Sequence, residues 1–162
     1  FLDRDGVINR KADEGDYVKN WDEFVFLPGV KESIVSLTKA GYLIFIITNQ
    51  AGIYRKMMSL NDLETINNNM INELNKKGAK IIKIYFCPHG WDEGCDCRKP
   101  NPGMLINAAD EFNLDLRKCI LIGDDVRDIQ AGEAVGCKSY YIDKKKTNLP
   151  EIVANILSYE KK

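Results

Sequence analysis

Tyr42-Leu43-Ile44-Phe45-Ile46-Ile47-Thr48-Asn49-Gln50 is a run of six apolar residues that stops abruptly on three polar ones. Aromatic and β-branched side chains suit the pleated backbone. An apolar run with no polar alternation marks a strand covered on both faces, as in a parallel sheet flanked by helices. Residues 42–48 are therefore expected to form an interior strand. The same alternation of short apolar runs and helical stripes extends in both directions. Phe1-Leu2 reads as the end of a first strand and residues 6–27 as a polar, aromatic-bearing loop. Pro28 to Ala40 reads as a helix with Val30, Ile34 and Leu37 on one face and Gly41 as its stop. Ser59 offers an N-cap with Asp62 three residues on, and Leu63, Ile66, Met70 and Leu74 form a stripe ending near Gly78.

Further along, 81–86 is expected as a third strand and 119–122 as a fourth. Pro102 opens a helix with Leu105, Ala108, Ala109 and Phe112 inward. Residues 126–135 form a helix closed by Gly136, 139–142 a fifth strand, and a last helix follows Pro150. Strands alternating with helices imply an α/β three-layer sandwich around a central parallel sheet of about five strands. With no internal repeat and no Pro-, Gly- or Ser-rich linker, residues 1–162 are expected to be a single domain without a separate cap domain.

The composition is globular, 44% hydrophobic and 29% charged. A formal charge of -1 gives no basic field to recruit nucleic acid. The runs Lys144-Lys145-Lys146 and Lys161-Lys162 are expected to be solvated. No apolar stretch nears the ~20 residues of a membrane span, and there is no signal peptide. An opening on Phe1-Leu2 without methionine suggests that earlier residues are missing. The expectation is a cytoplasmic monomer acting on a small molecule, with neither nucleic acid nor membrane as partner.

In a parallel sheet, ligands bind beyond the C-terminal ends of the strands, here after residues 2, 48, 86 and 122. All four ends carry polar groups: Asp3 and Asp5, then Thr48-Asn49-Gln50, then Arg98-Lys99 beyond a cysteine cluster, then Gly123-Asp124-Asp125 with Asp128 one turn later. D-x-D-G alone is also a common turn, but four polar ends from distant segments read as one site. The inventory suggests phosphoryl transfer. Asp3, Asp5 and Asp124 offer hard oxygen ligands for Mg²⁺. Asp3 can then serve as nucleophile and form an aspartyl-phosphate. Thr48 and Lys99 could hold the phosphoryl oxygens, and Asp5 could give a proton to the leaving oxygen and later take one from water. Asp128 is expected to orient Lys99 or a metal-bound water.

Five cysteines are an odd count, and Cys87, His89, Cys95 and Cys97 fall within residues 87–97, His89 being the chain's only histidine. Three thiolates and one imidazole are a common structural Zn²⁺ set with no open coordination position. A local disulfide or buried thiols are the alternatives. Cys119 and Cys137 read as small core residues.

Asp3-Arg4-Asp5-Gly6-Val7, Thr48, Lys99 and Gly123-Asp124-Asp125-x-x-Asp128 resemble the four ordered motifs of the haloacid-dehalogenase (HAD) superfamily of phosphatases, over nearly the whole chain. The resemblance implies a Rossmannoid HAD-like fold with Asp3 as nucleophile, Asp5 as acid/base, and Thr48 and Lys99 on the phosphoryl group. It implies Mg²⁺ on Asp3, the backbone carbonyl of Asp5, and Asp124. The 87–97 loop, Arg98-Lys99-Pro100, Thr48-Asn49-Gln50-Ala51-Gly52-Ile53 and Asn101-Pro102-Gly103-Met104 are similar to a narrower group. These are the zinc-containing histidinol-phosphate and D-glycero-D-manno-heptose 1,7-bisphosphate phosphatases, and Pro102-Gly103-Met104 and Tyr17-Val18 look like the heptose branch. By that resemblance Arg98 contacts the sugar bisphosphate, and Asn49, Gln50 and Ala51 line the site. Asp125 departs from the heptose enzymes, which often carry lysine there. Histidinol-phosphate phosphatase is the alternative activity, with a nucleic-acid 3′-phosphatase or a non-catalytic zinc-binding module behind it.

Overall fold

In a computed structural model, described for residues 1–143 and 145–159, four strands alternate with five helices. They are α1 Val30–Lys39, β1 Phe45–Asn49, α2 Leu60–Lys76, β2 Lys83–Cys87, α3 Gly103–Phe112, β3 Ile120–Gly123, α4 Val126–Glu133, β4 Lys138–Tyr141 and α5 Leu149–Tyr159. β1 pairs with β2 and β3 with β4, each in parallel. The N-terminal segment joins the two pairs, because Leu2 bridges in parallel to both Ile46 and Ile122. Leu2 N–H donates to Phe45 O (2.9 Å), and Asp3 N–H to Ile122 O (3.0 Å). The spatial order is therefore β2, β1, residues 1–3, β3, β4, the open parallel arrangement whose topological switch point lies at the sheet centre.

Side-chain alternation divides the core. Leu2, Ile46 and Ile122 face one way, onto α1, α2 and α5 through Val30, Ile34, Leu63, Met70 and Ile152. Ile47 and Leu121 face the other way, onto α3 and α4 through Leu105 and Ala131. Both faces of the sheet are covered, as expected of period-two side chains in a parallel sheet. The expected N-cap is realised as a capping box. Ser59 accepts from Asp62 N–H, and the Asp62 carboxylate accepts from Ser59 N–H.

Several boundaries move by a few residues. The interior strand begins at Phe45 rather than Tyr42, where the 1–3 segment supplies its first ladder bond, and Leu43 is 56% exposed. The third strand runs Lys83–Cys87, so it ends on the first residue of the cysteine cluster. α4 stops at Glu133, two residues short of the expected end. Ala109 and Phe112 of α3 are half-buried, the latter edge-on to Phe45 with ring centroids 5.0 Å apart. Lys145 and Lys146 are exposed, while Lys144, Lys161 and Lys162 lie outside the described residues. Among the described residues no helix is long and apolar enough to cross a membrane.

Candidate active site

Because every strand is parallel, every strand ends on the same edge, and a cavity of 650 Å³ opens there. Asp3, Thr48, Arg98, Lys99 and Asp128 line it, drawn from four separate strand ends. At its floor the Lys99 Nζ sits 2.9 Å from Asp3 Oδ1 and 2.6 Å from Asp128 Oδ1, and donates to Ile47 O at 3.0 Å. Lys99 is 3% exposed and Asp128 1%. Burial opposes the charge on Lys99, but the two carboxylates outweigh it and hold its pKa above the ordinary lysine value. Burial pushes the Asp3 carboxyl up to about 7, against the pull of Lys99 and with the push of Asp128. Asn49 fixes the Lys99 backbone reciprocally: its Nδ2 donates to Lys99 O (3.0 Å) and its Oδ1 accepts from Lys99 N–H (3.1 Å).

Asp5, two residues beyond Asp3, lines the same cavity, with its side chain 20% exposed. Its carboxylate accepts from Arg4 Nη2 (3.2 and 3.1 Å), Asn9 Nδ2 (2.9 Å) and Gln50 Nε2 (2.7 Å). Burial alone would raise Asp5; the Arg4 guanidinium and these hydrogen bonds win and hold the carboxyl below its ordinary value. Gln50 Nε2 also donates to Thr48 Oγ1 at 2.8 Å. Gln50 is fully buried and Ala51 is 2% exposed, and neither lines the cavity. The expectation that these two face a substrate is corrected accordingly: the polar run after β1 folds under the site, and only Thr48 and Asn49 reach the cavity.

Asp3, Asp124 and Asp128 bring carboxylate oxygens within 4.8 Å of one another, a group that could hold a metal ion. Asp5 is not part of this carboxylate group; at most its backbone could contribute to a metal. Lys11 Nζ lies 3.3 and 3.2 Å from the two Asp124 oxygens. Gly6 makes room for Asp124: its φ is 95°, and a Cβ there would collide with the Asp124 carboxylate. Asp128 also caps its own helix, accepting from Asp125 N–H at 3.0 Å. One side chain thereby fixes both the start of α4 and the lysine ammonium.

The 87–97 cluster converges as well. Cys87 Sγ is 3.5 Å from His89 Nδ1 and 3.6 Å from Cys95 Sγ, and His89 Nδ1 is 3.3 Å from Cys97 Sγ. All five cysteines are free, which removes the disulfide alternative. Four soft donors at these separations match the edges of a tetrahedron with bonds of about 2.0–2.3 Å to a central ion. Arg98 follows directly, with its Nη1 donating to His89 O at 3.3 Å and its side chain on the cavity wall.

Sequence reasoning did not single out Arg4, Asn9, Lys11 or Asn67. Arg4 is fully buried and donates to Asn67 Oδ1 (3.1 Å) as well as to Asp5. Two signals were available: strand alternation turns the residue between two aspartates inward, and Asn67 breaks the apolar stripe of α2 at helical spacing. Lys11 sits in an irregular loop, where no periodicity could place it.

Residues 96–157 match the HAD-hydrolase-like family model. The chain is 39% identical over 90% of its length, and 81% of the relative's, to the D-glycero-beta-D-manno-heptose-1,7-bisphosphate 7-phosphatase of Pseudomonas aeruginosa. To the D-glycero-alpha-D-manno-heptose-1,7-bisphosphate 7-phosphatase of Campylobacter jejuni it is 46% identical, over 82% and 74% of the two chains. The crystal structure of D,D-heptose 1,7-bisphosphate phosphatase from B. bronchiseptica, complexed with magnesium and phosphate, superposes with a TM-score of 0.92 at 33% identity, covering 98% of this chain and 97% of that one. The chain belongs to the HAD hydrolase superfamily and, within it, to the family of the heptose-1,7-bisphosphate phosphatases.

Proposed function

We propose that this single-domain chain is a Mg²⁺-dependent phosphatase that removes the 7-phosphate from D-glycero-D-manno-heptose 1,7-bisphosphate. The observation that carries the reaction is the buried Lys99 ammonium 2.9 Å from Asp3 Oδ1, on the floor of an open polar cavity. The names of relatives at 39–46% identity support the substrate.

Asp3 attacks phosphorus, the bond from phosphorus to the sugar oxygen breaks, and the departing oxygen takes a proton from Asp5. Water then attacks the aspartyl-phosphate, gives a proton to Asp5, and leaves inorganic phosphate and a free Asp3. The hydrogen-bonded, charged Asp5 described above is the form needed for the second half; for the first, Asp5 takes up a proton from solvent as the negative phosphate enters beside it, a like charge that favours its neutral form. Thr48 Oγ1 and Lys99 Nζ stabilise the phosphoryl oxygens as charge spreads over them. Asn49, by clamping the Lys99 backbone, keeps the ammonium on the cavity floor. Arg98 reaches the sugar or its other phosphate with a planar fork of donors.

The carboxylate donors fit Mg²⁺, a hard cation, and Asp3, Asp124 and the backbone carbonyl of Asp5 would hold it. Bound there, it would neutralise the carboxylates and the phosphate so that two anions can meet. Cys87, His89, Cys95 and Cys97 would hold a structural Zn²⁺ that ties down the loop presenting Arg98 and Lys99. Release of inorganic phosphate from the 1,7-bisphosphate in Mg²⁺, with ³¹P NMR identifying a 1-phosphate product and Asp3→Asn inactive, is the expected result. A fully active Asp3→Asn enzyme would overturn the mechanism, and a 7-phosphate product would overturn the regiochemistry.

A further inference from the structure

Asp125 places a negative charge at the mouth of a site that must bind a polyanion, yet it does not stand alone. As N-cap of α4 its carboxylate accepts from Arg127 N–H (3.0 Å), Arg127 Nε (2.9 Å) and Arg127 Nη2 (2.6 Å). The two side-chain bonds form a bidentate carboxylate–guanidinium fork, which fixes the plane of the guanidinium as well as its position. Two of the five guanidinium donors are used in that fork, and the others remain for a ligand. Arg127 stays 44% exposed in its side chain while lining the same 650 Å³ cavity as Asp3, Lys99 and Arg98. Its pKa is held above the ordinary value first by Asp125, with Asp128 and Asp3 contributing. The guanidinium is therefore within the electrostatic reach of the nucleophile.

A pair that served only to cap α4 would gain little from its second carboxylate bond, since exposed ion pairs are worth about 0–1 kcal/mol. It would also have no reason to face the cavity. We propose that Arg127, held in place by Asp125, is a specificity-determining residue that binds the phosphate not being hydrolysed. It acts from the α4 wall, while Arg98 contributes from the wall beside the cysteine cluster. This rests on the bisphosphate reading above.

The test compares kcat/KM for heptose 1,7-bisphosphate with that for heptose 7-phosphate, which lacks the second phosphate, in Mg²⁺. In Arg127→Ala the ratio of the two is expected to fall about tenfold, mainly through KM for the bisphosphate, the size of one charge-assisted hydrogen bond. Arg127→Lys, keeping charge without the fork, should recover part of that ratio. Asp125→Asn, keeping the cap acceptor but freeing the guanidinium, should lower it to an intermediate value. A ratio within twofold of wild type in a folded Arg127→Ala, or equal losses on both substrates, would mean that the pair serves α4 alone and overturns the proposal. A wild-type enzyme that hydrolyses 7-phosphate but not the bisphosphate overturns the underlying substrate reading, and shows it before any variant is compared.

Discussion

Asp128 Oδ1 lies 2.6 Å from Lys99 Nζ, closer than the 2.9 Å separating that ammonium from Asp3. The lysine that faces the nucleophile is thus anchored from behind by a carboxylate that is itself buried and held by the first turn of α4. Asp128→Ala removes the anchor and leaves Lys99 with Asp3 and the Ile47 carbonyl. Breaking a buried pair costs about 3–5 kcal/mol, and retention of the other two partners puts the expected loss at about 3 kcal/mol by denaturant unfolding. Asp128→Asn should lower kcat by about tenfold to a hundredfold, the usual effect of losing an orienting partner behind a reactive group. Unchanged kcat in Asp128→Asn would show that Asp3 and Ile47 O suffice to place the ammonium.

The elevated Asp3 pKa, about 7, makes metal binding pH-dependent. A protonated carboxyl must lose its proton to ligate, so Mg²⁺ affinity should rise about tenfold per pH unit below 7 and level off above it. For stability the sign is the reverse of an ordinary carboxylate's. The folded protein binds this proton more tightly than the unfolded chain, so the contribution is fully present below about pH 4 and is lost as pH rises through 7. Calorimetric titration with Mg²⁺ between pH 5.5 and 8 should show the slope in the wild type, and a flat profile in Asp3→Asn. A flat wild-type profile would refute the elevated value.

Gln50 Nε2 bonds both Asp5 and Thr48 from a fully buried position, so it can position catalytic groups without touching substrate. Gln50→Ala should therefore lower kcat by about tenfold with KM nearly constant, because the affected interactions matter when charge moves. A raised KM with unchanged kcat would instead return Gln50 to the substrate.

Much of this was legible in the residues. The apolar run before Thr48, the capping signal at Ser59 and the polar strand ends all follow from local periodicity, and they fix the sheet and the edge on which chemistry collects. The hydrogen bond from Gln50 to Asp5 was not legible, because it joins residues 45 apart that meet only in the folded chain. Lys11 on Asp124 was hidden for the same reason, being a contact 113 residues apart made from an irregular loop. Strand boundaries shifted where the hydrogen-bond partner, and not the hydrophobic pattern, decides where a ladder begins.

The cysteine cluster offers the last prediction. Burial pushes the Cys87 thiol up in the absence of metal, with Cys97 adding to it, whereas a bound Zn²⁺ would require the thiolate. The four donors, with sulfur–nitrogen contacts of 3.3 and 3.5 Å, sit immediately before Arg98 and Lys99, so losing the ion should loosen the catalytic lysine as well as the loop. Chelation, or Cys95→Ser, is expected to release about one Zn²⁺ per chain by elemental analysis and to lower Tm. It should also reduce kcat/KM, with both recovered on adding Zn²⁺ to the chelated wild type. Mg²⁺ alone should restore neither, since a hard, octahedral cation is poorly served by thiolates. Full activity and unchanged Tm in a zinc-free preparation would show that backbone contacts such as the Asn49–Lys99 clamp hold the loop unaided.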